Sequence, residues 1–158
     1  MDERLVIDAS VAVKWFLRDT HETEIAKADA ILDSLMNGDV AVHVPEIFKS
    51  EVCGALTKAC AHRLTGTRTP RLTRELALSS IRDLFKLPLS VHRTTEQDAV
   101  EAADLAINYG KGLYDMAYLK LALNLDCRWC TSDAKFLRAV PASFPKERVV
   151  LLSMLEVQ

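Results

Sequence analysis

The feature that most constrains the fold of this chain is a regular alternation of short apolar runs with longer segments of helical periodicity. Five short runs are predicted as strands: Leu5 to Ile7, Val40 to Val44, Leu89 to Val91, Arg128 to Thr131 and Val149 to Leu152. Seven segments between them are predicted as helices: Ser10 to Phe16, Thr23 to Asn37, Pro45 to Arg63, Thr73 to Lys86, Thr95 to Tyr109, Tyr114 to Leu123 and Ala134 to Val140. This order predicts an α/β fold of three layers, with helices on both faces of a short central parallel sheet of about five strands.

Residues at several helix ends support these boundaries. Gly38 follows the second predicted helix, and Thr95 begins a T-x-x-D sequence that approximates a capping box. Pro45 suits the first turn of the third helix, because a proline there loses no intrahelical hydrogen bond.

The domain organisation follows from length and from one threonine-rich segment. Leu64 to Pro70 is predicted to be a loop between two helices and not a domain linker, because no independent core lies on either side. A chain of 158 residues with 49% hydrophobic and 27% charged residues has the composition of an ordinary folded protein. We therefore expect a single domain over residues 1 to 158.

The first sixteen residues decide the predicted location. Acidic residues precede the apolar stretch, and Asp8 and Lys14 interrupt it, so it is neither a signal peptide nor a membrane anchor. No other apolar run reaches the length that spans a membrane. We expect a cytoplasmic protein without membrane association, whose four cysteines stay reduced.

Net charge limits how the chain could bind nucleic acid. The formal charge of -2 gives no global attraction, so RNA binding must depend on a local basic cluster. The clear candidate is the stretch from residue 58 to 74, which contains no acid and carries Lys58, Arg63, Arg68, Arg71 and Arg74. Contact with phosphates and a simply solvated loop and helix edge both account for it.

Two acidic residues directly follow predicted strands. Asp8 comes after Leu5 to Ile7, and Asp133 comes two residues after Arg128 to Thr131. Because the carboxyl ends of parallel strands meet at one edge of a sheet, we expect both side chains at the same rim. Taken alone, residues at such a position are more often helix N-caps than ligands, with Asp8 or Ser10 as the cap at the first strand and Ser132 or Asp133 at the other.

Two further acids lie on predicted helices. Glu51 lies at the margin of an apolar stripe, and Asp115 lies at the amino end of a helix that is apolar almost all round. A solvated position at the edge of the stripe would also explain Glu51. If both side chains reach the rim, four carboxylates share one cleft and require protonation or a cation. Ligands that are all oxygen favour a hard ion such as Mg²⁺ or Mn²⁺.

Four short motifs together resemble a known family. They are Val6-Ile7-Asp8-Ala9-Ser10 with Lys14-Trp15-Phe16, then Pro45 with Glu51 and Ala55-Leu56, then Tyr114-Asp115, and finally Thr131-Ser132-Asp133. The ordered set, which runs from the first strand to the last motif, resembles the PIN-domain ribonucleases. Within that family the length and the Asp8-Ala9-Ser10 opening are most similar to the VapC-type toxins of prokaryotic toxin-antitoxin pairs.

The resemblance implies a Mg²⁺- or Mn²⁺-dependent RNA endonuclease, usually a homodimer, inhibited by a small antitoxin protein whose tail enters the acidic cleft. It makes Asp8, Glu51, Asp115 and Asp133 the catalytic and metal-binding acids, supported by the hydroxyls of Ser10 and Thr131. A fifth acid found in some relatives is absent, since Leu137 and Arg138 stand at that place. This departure puts the affinity for a second metal ion in doubt.

Two alternatives come from other functional classes. A receiver-type phosphoacceptor domain also has acids at a sheet edge, but it needs an Asp after a middle strand and a Lys after a late one. Here Glu51 falls within a helix, and Ser153 and Met154 follow the last strand. The other alternative is a non-catalytic module that keeps the fold and uses its cleft only to bind a partner.

Overall fold

The computed structural model describes residues 3 to 19, 22 to 61 and 69 to 156. The strands are β1 (Glu3–Ile7), β2 (Val40–Pro45), β3 (Ser90–His92), β4 (Arg128–Thr131) and β5 (Val149–Leu151). The helices of the described residues are α1 (Ala9–Ala12), α2 (Ile25–Asn37), α3 (Ile47–Cys60), α4 (Arg74–Lys86), α5 (Glu96–Tyr109), α6 (Leu113–Asn124) and α7 (Ala134–Arg138). Short 3-10 turns cover Val13–Trp15, Lys146–Arg148 and Leu152–Met154.

The sheet has the order β3-β2-β1-β4-β5, and every neighbouring pair is parallel. The chain first moves outward from β1 to β3 and then returns to the other side of β1. Because parallel crossovers are right-handed, this reversal sends α1 to α4 to one face and α5 to α7 to the opposite face. The predicted α/β fold, with three layers and a parallel sheet of about five strands, is confirmed.

The core lies on both faces of the central strands. Leu5, Val6 and Ile7 of β1 are all buried, as expected for a strand covered by helices on each side. Helix α6 packs across β1, β2 and β4, and it buries side chains around most of its circumference. Its carboxylate at Asp115 is therefore carried on a helix that the core holds firmly in place.

The start of the third helix differs from the prediction. Pro45 is the last residue of β2, in register with His92, and α3 begins only at Ile47. The terminal position of a strand tolerates proline because the missing N–H interrupts the ladder least there. The first helix also differs, since α1 is one turn long and continues as the 3-10 turn Val13–Trp15.

Other predicted helix ends are confirmed. Gly38 ends α2 in the left-handed region with a φ of 82°, a conformation that favours glycine. Thr95 and Asp98 form the reciprocal capping box at the start of α5.

No helix in the described part of the chain is long and apolar enough to cross a membrane. Most of the predicted loop from Leu64 to Pro70 lies outside the described residues.

Candidate active site

A small cleft opens at the carboxyl ends of β1 and β4, where the strand order reverses. This reversal point is where open α/β sheets form ligand-binding crevices, since the connections leave it in opposite directions. The cleft has a volume of about 170 Å³. Six of its lining residues are those predicted from sequence: Asp8, Ser10, Glu51, Asp115, Thr131 and Asp133. The fold therefore brings together acids that are far apart in the chain.

Asp8 follows β1 directly and is 9% exposed. Its Oδ1 accepts hydrogen bonds from the backbone N–H of Ser10 at 3.0 Å and from the Ser10 hydroxyl at 2.5 Å. Its Oδ2 accepts a hydrogen bond from the indole Nε1 of Trp129 at 3.1 Å. Asp8 thus caps α1 and lines the cleft at the same time, so the two interpretations of this residue are not exclusive.

Burial dominates the electrostatics of Asp8. It raises the pKa of this carboxyl from 3.8 to about 6, although hydrogen bonds from Ser10, Thr131 and Trp129 act in the opposite direction. A carboxyl with a raised pKa gains most from a nearby cation, because a cation stabilises its charged form.

A network of hydroxyls joins the two loops that follow β1 and β4. The Ser10 hydroxyl oxygen accepts a hydrogen bond from the backbone N–H of Ser132 at 2.9 Å and lies 3.4 Å from Thr131 Oγ1. The Asp133 N–H donates to Thr131 Oγ1 at 3.1 Å. Asp133 in turn caps α7 by accepting from the Phe136 N–H at 2.9 Å. These bonds fix Asp8 and Asp133 relative to each other.

Glu51 enters the cleft from α3 and is half-buried. Its Oε2 accepts a short hydrogen bond from the hydroxyl of Tyr118 on α6. Burial raises the pKa of Glu51, the Tyr118 bond lowers it, and the charge of Asp115 raises it further. Burial and the contact with Glu51 also raise the pKa of Tyr118 far above its usual range, so its hydroxyl remains a donor.

Asp115 lies in the first turn of α6, where the positive end of the helix dipole favours a carboxylate. Gly112 precedes the helix, and a Cβ at that position would lie 3.2 Å from Asp115 Oδ2. Glycine therefore leaves room for this side chain. Burial and the neighbouring charge of Asp133 raise the pKa of Asp115, while the charge of Lys111 lowers it.

The donor set of the cleft fits a hard cation in chemistry. Carboxylate and hydroxyl oxygens line it, and within the described part of the chain no Lys, Arg or His side chain does so. As the side chains lie, no three Asp, Glu, His or Cys residues in the described ranges form a group that could hold a metal ion. Asp8, Glu51 and Asp133 each accept hydrogen bonds from protein groups, and a carboxylate has about four lone-pair sites, so each can also bind a cation.

Three aromatic residues of the cleft were missed by sequence reasoning: Tyr118, Trp129 and Phe136. Simple spacing could have found the first two. Tyr118 lies three residues after Asp115 on one helix face, and Trp129 lies two residues before Thr131 on the same side of β4.

Glu24, which sequence reasoning also missed, contacts the loop between β4 and α7. Its Oε2 accepts a hydrogen bond from the Ser132 hydroxyl at 3.1 Å. Its backbone adopts a left-handed conformation with a φ of 61°, which is uncommon outside glycine. Glu24 therefore ties the start of α2 to the loop that carries Asp133.

The predicted basic cluster is only partly described. Arg63 and Arg68 lie outside the described residues, and Lys58 and Arg74 are exposed on α3 and α4. Arg71 is engaged within the fold: its guanidinium forms two bonds of 2.7 Å to Asp19 and one of 2.6 Å to Glu22. Contact of Arg71 with RNA stays a prediction, and it would require exchange of these partners.

A larger groove of about 530 Å³ lies beside the carboxyl ends of β2 and β3. None of the four predicted acids lines it, and it is mostly apolar around Ile47, Ala102 and Leu121. The four predicted acids therefore meet only in the smaller cleft, whereas the acids of the larger groove are Glu46 and Asp98 among the described residues.

Comparison with models of protein families shows which family the chain belongs to. The family model of the PIN domain matches residues 5 to 140. The chain therefore belongs to the PIN-domain family. No curated protein sequence matches it.

Several solved structures share the fold, among them VapC toxins. The VapC20 toxin of Mycobacterium tuberculosis, described as cleaving the sarcin-ricin loop, is 13% identical with a TM-score of 0.59, covering 85% of this chain and 94% of its own. A toxin-antitoxin complex from Klebsiella pneumoniae is 18% identical with a TM-score of 0.55, covering 94% and 97%. VapBC2 of Rickettsia felis, bound to a DNA fragment from its promoter, is 12% identical with a TM-score of 0.59, covering 94% and 98%. At these identities the likeness concerns the fold.

Proposed function

We propose that this protein is a Mg²⁺- or Mn²⁺-dependent endoribonuclease that hydrolyses RNA phosphodiester bonds and acts as the toxin of a type II toxin-antitoxin pair. The observation that carries the proposal is a single one. In a PIN-domain chain, four carboxylates line one cleft at the reversal point of the sheet, and no basic side chain of the described residues lines it with them.

On this proposal Asp8, Glu51, Asp115 and Asp133 hold the cation. A bound Mg²⁺ or Mn²⁺ supplies an activated water and stabilises charge on the phosphate. The protein contributes position and charge. Ser10 and Thr131 fix the loops after β1 and β4, and the burial that raises the pKa of Asp8, Glu51 and Asp115 makes each carboxyl favour a cationic partner.

The proposed partners are RNA, a cognate antitoxin protein and a second copy of the chain. Similar solved structures include toxin-antitoxin complexes, which supports the antitoxin. Large apolar side chains exposed on helices, such as Phe85, Val100 and Leu113, support a homodimer with two-fold symmetry. Sedimentation showing only monomer at micromolar concentration would contradict the dimer.

We propose that the chain acts as a single domain over residues 1 to 158 in the cytoplasm.

The test is an RNA cleavage assay with protein freed of any co-purified partner. Cleavage that needs added Mn²⁺ or Mg²⁺ and stops with EDTA is the expected result. Absence of cleavage with either ion, on single-stranded and structured RNA alike, would overturn the proposal and favour the non-catalytic binding module. The receiver alternative loses its basis, because Glu51 lies in α3 and the chain belongs to the PIN-domain family.

A further inference from the structure

Two buried aromatic side chains donate hydrogen bonds to two of the four acids that line the cleft. The Tyr118 hydroxyl donates to Glu51 Oε2, and the Trp129 indole N–H donates to Asp8 Oδ2 at 3.1 Å. Both aromatic side chains are almost completely buried, at 2% and 1% exposure. They come from different elements, α6 and β4, and both line the cleft.

The two rings support each other. Tyr118 and Trp129 are stacked, with ring centroids 6.0 Å apart and planes inclined by 17°. Phe136 packs against the Trp129 ring, with ring centroids 5.2 Å apart and planes inclined by 57°. Neither donor can turn away from its carboxylate without breaking a stacked contact in the core.

The choice of donor matters for charge. A buried carboxylate needs hydrogen-bond partners, and an Arg or Lys would supply them while cancelling the negative charge. A tyrosine hydroxyl and an indole N–H are neutral donors, so they orient the carboxylate and leave its charge intact. In addition, Glu51 Oε1 accepts no hydrogen bond from the described residues, so one oxygen is left over for another partner.

We propose that Tyr118 and Trp129 are positioning residues that orient Glu51 and Asp8 for a divalent cation while preserving their negative charge. This inference rests on the proposed function, because it assumes that the cleft binds such an ion. Partners that orient metal ligands typically change metal affinity by about 10- to 100-fold when they are removed.

The test measures Mn²⁺ affinity by isothermal titration in the absence of RNA. Tyr118→Phe removes only the hydroxyl, and we expect it to weaken Mn²⁺ binding by about 10-fold. Tyr109→Phe is the matched control, because Tyr109 packs edge-on against Phe144 and does not line the cleft. Its affinity should stay within about 2-fold of the wild type. Circular dichroism checks that each variant is folded.

A double-mutant cycle separates positioning from general structural damage. If Tyr118 acts through Glu51, then Tyr118→Phe should cause no further loss of Mn²⁺ affinity in a Glu51→Gln background. A full additional loss there would overturn the positioning role. Trp129→Phe is examined in the same way against Asp8→Asn, with the same two outcomes.

The outcomes also separate this inference from the proposed function. A wild-type protein that binds no Mn²⁺ overturns the proposed function and with it the positioning role. A wild-type protein that binds Mn²⁺ as tightly as Tyr118→Phe overturns the positioning role alone.

Discussion

Two groups of acidic side chains in this protein are compensated in opposite ways. Asp19 and Glu22, between β1 and α2, lie against Arg71, and Glu22 also pairs with the buried Lys14 at 3.1 Å. Among the described residues, no Lys, Arg or His lines the cleft with its four acids, and three of these, Asp8, Glu51 and Asp133, accept hydrogen bonds from neutral groups. The charges of Asp19 and Glu22 are balanced by basic side chains of the chain itself. On the proposed function, the charge of the second group is balanced by a cation from solution.

The largest expected effect comes from neutralising a cleft acid. Asp115→Asn keeps the shape of the side chain and removes its charge, and it should reduce Mn²⁺-dependent RNA cleavage by at least about 100-fold. Because the pKa of Asp115 is raised by burial and by Asp133, the metal-free melting temperature should stay unchanged or rise. Mn²⁺ should also stabilise the variant less than the wild type.

The matched control for this change is Asp83→Asn, an exposed acid on α4 whose pair with Lys86 is also exposed. It should keep full cleavage activity. Asp8→Asn should behave like Asp115→Asn, and retained cleavage by both cleft variants would contradict the proposed mechanism.

The next prediction concerns pH in the metal-free protein. The folded Asp8 carboxyl keeps its proton up to about pH 6, whereas the unfolded one ionises near 3.8, so the folded state binds more protons between these values. Wild-type stability should therefore fall relative to Asp8→Asn as pH rises from about 4 to 6, by at most about 3 kcal/mol. Urea unfolding in EDTA across this range measures it. A constant difference between the two proteins would contradict the burial effect.

Removing the basic partner of Asp19 and Glu22 should destabilise the protein, whereas neutralising a cleft acid should leave the metal-free stability unchanged or raise it. Arg71→Ala leaves Asp19 and Glu22 without their guanidinium partner, and it should lower the free energy of unfolding by about 1 to 3 kcal/mol. Arg18→Ala is the control, because Arg18 makes a similar two-bond pair with Asp29 at a more exposed site. Its cost should be below about 1 kcal/mol. Equal losses of stability in Arg71→Ala and Arg18→Ala would contradict the proposed difference between these two ion-pair sites.

The smallest effects should come from the exposed cations of the basic cluster. Lys58→Ala and Arg74→Ala should change stability by less than about 0.5 kcal/mol. If they contact phosphates, each should weaken RNA binding a few-fold and reduce the slope of log affinity against log salt by about 1. Lys86→Ala, another exposed cation on α4, serves as the control. Unchanged salt slopes in both variants would assign these residues to the solvated surface.

Local pattern was enough to predict the strands, most helix ends and the rim at which Asp8 and Asp133 meet. Those features depend on periodicity within ten or so residues and on the rule that parallel strands share an edge. The start of α3 was missed because Pro45 suits both a strand end and a first helical turn.

Contacts between distant parts of the chain were out of reach. Arg71 could be recognised as basic, but its pairing with Asp19 and Glu22 depends on how two loops approach each other in the fold. The bonds from Tyr118 to Glu51 and from Trp129 to Asp8 are set by helix and strand packing in the same way. The left-handed backbone of Glu24 has no signal in its sequence, since glycine would be the expected residue there.

The reversed strand order also has a consequence for folding. β1 pairs with β2 on one side but with β4 on the other, so one edge of the central strand waits for a segment more than a hundred residues later. Pairing across such a separation must close a long loop, and the entropy cost of that closure comes before the contacts form, so the pairing is slow. Asp8 and Asp133 follow β1 and β4, the two strands of this long-range pair. A growing or partly unfolded chain in which β1 and β4 are not paired therefore has no complete acidic cleft, and the proposed nuclease site requires that pairing.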